Sequence, residues 1–86
     1  MTWQEIREQY PGRWVVVEAL GAYTEGGKRI IPELQLIASF GSDWSEAWNA
    51  YKEVHHADIW REYYPLHTDR VELNIGVMDA FFRKLD

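Results

Sequence analysis

The chain has 86 residues, a formal charge of −5 and no cysteine. That length leaves room for one hydrophobic core, so a single domain over residues 1–86 is expected, and the missing thiols exclude disulfide staples, thiolate metal sites and a cysteine nucleophile. Acidic residues dominate after Gly41, nine Asp or Glu against five Lys or Arg, and a chain without a basic face is a poor partner for nucleic acid.

Thr2-Trp3-Gln4-Glu5 has the spacing of a capping box, in which the Thr2 hydroxyl and the Glu5 carboxylate each satisfy one free backbone N–H. Trp3, Ile6, Arg7 and Tyr10 then share a face at helical spacing, and Pro11-Gly12 cannot continue a helix, so a two-turn helix ending near Gln9 is expected. Residues 13–20 (RWVVVEAL) are rich in β-branched side chains, and Thr24-Glu25-Gly26-Gly27 supplies a turn before residues 28–40 resume an extended pattern. This reads as a long β-hairpin. In its second arm Leu34, Leu36, Ala38 and Phe40 alternate with Glu33, Gln35, Ile37 and Ser39, predicting one apolar face. Pro32 lacks a ladder N–H, which implies an edge, a bulge or a strand that starts near Glu33.

Gly41 breaks the strand, Ser42 or Asp43 can cap, and Asp43-x-x-Glu46 has capping spacing for the main helix, which is expected over residues 44–56. Trp44, Ala47, Trp48, Tyr51 and either Val54 or His55 recur at i, i+3, i+4 and i+7, a stripe that belongs against a sheet. Residues 61–68 (REYYPLHT) and 71–77 (VELNIGV) look extended around a tight turn at Asp69-Arg70, predicting a second hairpin with Val71, Leu73, Ile75 and Val77 inward. Pro65 marks its own strand as an edge or a bulged one. Met78, Phe81, Phe82 and Leu85 have the spacing of a short terminal helix. The expected fold class is therefore α+β: a mainly antiparallel four-stranded sheet of two hairpins, one main helix packed across a face, and short terminal helices.

The residues with ligand chemistry are His55, His56, Asp58 and His67, with Glu62 and Asp69 nearby. Histidines that share a metal on a helix usually stand at i and i+4, whereas adjacent ones point about 100° apart. Histidines at a helix carboxyl end also favour the negative end of its dipole with no ligand at all. No serine elbow, phosphate-cradling loop, dinucleotide fingerprint or zincin helix occurs. Neither a cofactor nor an enzymatic activity is expected, and a small-ligand, metal-binding or small-hydrolase role through the histidines is the alternative.

Thirteen aromatic residues are many for one small core to hide. Trp60, Tyr63, Tyr64, Phe81 and Phe82 are the expected interface residues, with one tyrosine of the adjacent pair in the core and the other outside. The expected function is a non-enzymatic protein-interaction module that forms a homodimer or binds another protein. No apolar run approaches the roughly 18 residues that span a bilayer, and residues 1–10 carry no apolar stretch with a cleavage site. A cytoplasmic location with no membrane partner is expected.

Tyr10-Pro11-Gly12-Arg13-Trp14-Val15-Val16-Val17, followed by a glycine turn and a second strand, resembles a group of small uncharacterised bacterial proteins that open with a Tyr-Pro-x-x-Trp-Val hairpin. Some of these are thought to be encoded beside retropepsin-like proteases or in toxin–antitoxin-like pairs. The resemblance covers about half the chain, carries no catalytic residue, and implies a partner-binding role.

Overall fold

The computed structural model describes residues 1–76. Helix α1 spans Trp3–Gln9 with both halves of the Thr2–Glu5 capping box formed. Gly12, at a φ of +66°, turns the chain into β1, Trp14–Leu20. Val15, Val16 and Val17 are all fully buried. A run of consecutive buried β-branched residues, rather than an alternation, is what a strand covered on both faces requires. β1 is accordingly the central strand of a three-stranded antiparallel sheet in the order β4-β1-β5.

The long hairpin exists but is broken in two. Beyond β1 the chain forms a separate ribbon of β2, Tyr23–Glu25, and β3, Lys28–Ile30. Gly26 and Gly27 make the turn, both with positive φ, which favours glycine and matches the twist of a two-residue hairpin loop. Strand β4, Glu33–Phe40, returns beside β1, starting directly after Pro32, one of the three arrangements that proline allowed. Its apolar face is not continuous. The register passes from Val17 opposite Leu36 to Val16 opposite Ala38, leaving Ile37 as the extra residue of a bulge. Leu34 and Leu36 therefore lie on one side of the sheet and Ala38 and Phe40 on the other, because one added residue reverses every later side chain.

Helix α2 spans Trp44–Ala57 and is N-capped by Asp43, whose carboxylate accepts from the Ser45 backbone N–H at 2.9 Å. It packs on the face that carries Trp14, Val16 and Phe40, burying Ala47 and Tyr51 there. Strand β5, Tyr63–His67, pairs antiparallel with β1. Odd-numbered residues at the two ends of β1 bond toward β5, Ala19 donating to the Glu62 carbonyl and the Arg13 carbonyl accepting from Thr68. Pro65 stands opposite Val16, hence in a non-hydrogen-bonded pair where its missing N–H costs β1 no ladder bond.

The second hairpin and the single four-stranded sheet are not what forms. Residues 71–76 do not pair with β5. They cross to the ribbon, where Arg29 donates to the Ile75 carbonyl at 2.9 Å and Lys28 bridges Gly76. Asn74, at a φ of +43°, re-aims the backbone on the way, a conformation asparagine tolerates better than most residues. The inward row is broken with it: Ile75 is buried and Leu73 half-buried, but Val71 is 67% exposed. The result is an α+β fold with a three-stranded sheet plus a two-stranded one. Val77 and the terminal helix expected from Met78 onward lie outside the described residues.

The sheet face opposite α2 is closed by α1 and residues 73–76. Trp3, Ile6, Val15, Val17, Leu34, Tyr64, Leu66 and Ile75 form its core. Thr68 ties the two ends of this layer, donating to the Tyr10 carbonyl at 2.7 Å and accepting from Arg13 N–H at 3.0 Å. Among the described residues no helix is long and apolar enough to cross a membrane.

Candidate functional site

Carboxylates and guanidinium groups gather where β1 ends and β5 begins. Glu18 is the one charged residue in the apolar run of β1, and its side chain is buried. A carboxylate there needs a cation, and Arg61 supplies it at 3.3 Å from both carboxylate oxygens. Glu18 in turn raises the pKa of Arg61, chiefly by Coulombic attraction. The second pair lies across the ribbon: Arg29 donates to both oxygens of Glu62, at 2.7 and 3.3 Å, and to the Thr24 hydroxyl at 3.0 Å. The Tyr64 hydroxyl donates to the same Glu62. The Glu62 hydrogen bonds raise the Arg29 pKa above its ordinary value.

Arg61 also fixes the turn between α2 and β5. Its Nε donates to Asp58 Oδ2 at 3.0 Å, its backbone N–H donates to the Asp58 carbonyl at 3.3 Å, and the Trp60 N–H donates to Asp58 Oδ1 at 3.1 Å. Asp58 is itself the carboxyl cap of α2. Inside this bonded turn sit Ile59 and Trp60, 50% and 88% exposed. These bonds hold the backbone from which the exposed indole projects.

Of the other expected interface residues, Tyr63 is half-buried against α2 and Tyr64 is fully buried in the opposite core, so the adjacent pair divides between the two faces. Tyr64 is thereby corrected from a surface residue to a core one. Phe81 and Phe82 lie outside the described residues.

The histidine cluster comes together only in part. His55 is buried on α2, stacked on Tyr51 with centroids 5.5 Å apart, and among the described residues its Nε2 has no hydrogen-bond partner. His56 is adjacent, at 5.7 Å, but faces outward. Asp58 serves the turn. His67 stands at the other end of α2, its ring edge-on to Trp14 at 5.1 Å, and its Nδ1 accepts from the Asp69 N–H at 3.1 Å. Trp14 meets Trp44 at 4.7 Å, and eleven residues of helix separate Trp44 from His55, about 16 Å at 1.5 Å per residue. Among the described residues no three His, Asp or Glu side chains converge as metal ligands would.

Sequence reasoning did not find the rows that cross elements. His67, Trp14, Trp44, Trp48, Tyr51 and His55 form a chain of ring contacts with centroids 4.7 to 5.5 Å apart. Only its α2 members repeat at helical spacing. The Glu18–Arg61 pair did leave a signal, a lone carboxylate within a buried apolar strand. No protein-family model, curated protein or solved structure matches the chain.

Proposed function

We propose that the protein is a non-enzymatic protein-interaction module that works as a homodimer, with Trp60 as the anchor of a protein contact. The observation that carries this reading is the exposure of Trp60 beside Ile59 on a turn bonded at both ends. An indole left free in water at the tip of a mobile loop gains little from order, whereas one held in place loses less entropy on binding, and Trp is among the residues that dominate interface energies. The resemblance of the Tyr10–Val17 stretch to small uncharacterised bacterial proteins, some thought to be encoded in pairs, leans the same way. The histidines support the alternative less well, since His67 stands at the opposite end of α2 from His55.

Two measurements test the reading. Light scattering after size exclusion, over about a hundredfold range of concentration, is expected to give twice the 10.2 kDa chain mass; a monomer throughout overturns the homodimer. A photoreactive phenylalanine analogue at position 60 is expected to crosslink to one discrete protein in cells. Diffuse labelling no stronger than at exposed Lys52 removes Trp60 as an anchor.

A further inference from the structure

The segment that closes the face opposite α2 is bound to its own chain as a separate piece. Ile75 is 3% exposed and packs in the core with Trp3, Ile6, Val15, Val17 and Leu34. Its carbonyl accepts from the Arg29 N–H at 2.9 Å, and Gly76 bridges Lys28. The chain is also fixed just before this piece. The Thr68 carbonyl accepts from Arg7 Nε at 2.9 Å, and the Arg70 carbonyl from the Trp3 indole at 2.8 Å. Residues 71–74 span the gap between the two anchorages.

That span has the features of a strained hinge. Val71, Glu72 and Asn74 are exposed and Leu73 is half-buried, so it adds little to the core. Asn74, at a φ of +43°, is the one non-glycine residue with a positive φ among the described residues. Such a conformation persists where the surroundings impose it, and here the constraint is the short reach from Arg70 to Ile75. Arg70 braces the bend, its guanidinium donating to the Glu72 and Asn74 carbonyls at 3.0 and 3.3 Å. Both acceptors belong to exposed residues, where water replaces such a bond at small cost. Short hinges under strain favour exchange of the following segment between copies, because the hinge extends while the exchanged segment meets an identical site.

We infer that the homodimer forms by reciprocal exchange of the chain from Ile75 onward, each copy seating its Ile75 in the other's core and its backbone beside the other's Lys28 and Arg29. The fold itself specifies the occupant: a second copy presents the same side chain and the same carbonyl that fill this site in the closed chain. Each subunit's core is then incomplete without the other's isoleucine. The exchange uses contacts already present in the fold and leaves the exposed Trp60 indole to a second protein. This rests on the homodimer reading above.

A chain without cysteine makes a crosslink at the exchanged contact unambiguous. Lys28 and Gly76 are opposed in a non-hydrogen-bonded antiparallel pair, flanked by the bond from Arg29 to Ile75, and such pairs hold their Cα atoms about 4.5 Å apart, within disulfide reach. The double variant Lys28→Cys, Gly76→Cys, oxidised after folding, is expected to run as a covalent dimer on a denaturing, non-reducing gel. A second variant needs no crosslink. Two glycines inserted between Glu72 and Leu73 lengthen the hinge, and are expected to raise the dimer's Kd at least about tenfold in a light-scattering dilution series. An internally crosslinked monomer from a chain whose unaltered form is dimeric overturns the exchange and leaves the homodimer standing, as does a lengthened hinge with an unchanged Kd. Where the cysteines do not oxidise, the hinge variant decides alone. A monomeric unaltered chain overturns both the exchange and the homodimer.

Discussion

The two faces of the three-stranded sheet are closed in opposite ways. On one, the seven-residue α1 and residues 73–76 cover a mainly aliphatic core in which Ile6, Val15, Val17 and Leu34 are essentially inaccessible. On the other, the fourteen-residue α2 covers less completely: Val16, Ala47 and Tyr51 are buried, but Trp14, Phe40, Trp48 and Tyr63 are only half-buried and Trp44 is 44% exposed. Helix length does not decide closure. Small branched side chains fill a layer without gaps, whereas large flat rings on a helix reach past the edge of a three-stranded sheet and leave their outer surfaces wet.

The comparison sharpens if the two faces respond differently to truncation. On the closed face Ile6→Ala is expected to cost about 3 kcal/mol, the lost transfer energy plus a cavity that β1 cannot collapse to fill. On the open face Trp48→Ala is expected to cost about 2 kcal/mol, less than the 3–5 kcal/mol of a fully buried tryptophan, because part of the indole is already hydrated. Urea denaturation of both variants checks the order. A Trp48 loss larger than that of Ile6 would show that the aromatic face carries more of the stability.

A smaller effect is expected at the rim. Trp44→Ala removes ring contacts to Trp14 at 4.7 Å and to Trp48 at 5.5 Å, and such pairs are worth about 0.5–1.5 kcal/mol each beyond area burial. Its loss is expected near 1 kcal/mol, together with a marked change in near-ultraviolet circular dichroism as the row is cut. An unchanged spectrum would mean that the row does not order its rings in solution. On the closed face, Thr2→Ala deletes the hydroxyl half of the capping box and is expected to cost about 1 kcal/mol by the same denaturation assay.

The smallest difference lies in acid. Glu5 beneath α1 and Asp43 beneath α2 both have pKa values lowered from ordinary values of 4.5 and 3.8, Glu5 first by the Thr2 backbone N–H and Asp43 first by the Ser45 hydroxyl. A depressed carboxyl stabilises the fold fully above its unfolded pKa and loses that contribution as pH falls through the folded value. Stability is therefore expected to decline from about pH 4.5 downward, and Glu5→Gln and Asp43→Asn should each flatten that decline. Urea midpoints at stepped pH measure it, and parallel slopes for all three chains would rule the caps out as its source.

Much of this architecture was legible in local chemistry. The Thr2–Glu5 box, the stop at Pro11-Gly12, the Gly26-Gly27 turn, the start of β4 after Pro32 and the Asp43 cap depend on residues within a few positions of one another. The failures share one cause. The bulge at Ile37 depends on what β1 places opposite, and residues 71–76 alternate well enough for a strand but find the ribbon rather than β5. Within the candidate site, the aromatic excess and Trp60 were visible, as was the division of Tyr63 from Tyr64. The bonded turn beneath Trp60 was not, because Arg61 reaches Glu18 across 43 positions of chain.

By itself, then, the sequence determined where α1, α2 and β1 form, since capping, turn geometry and periodicity act over one or two turns of chain. Of the stripe expected inward on α2, Ala47, Tyr51 and His55 are buried but Trp44 is 44% exposed. Tertiary structure decided which strands are neighbours, and that Trp60 stands outside while Tyr64 lies within. Those outcomes depend on pairing and packing between distant segments, where a shift of one residue exchanges the two faces of a sheet.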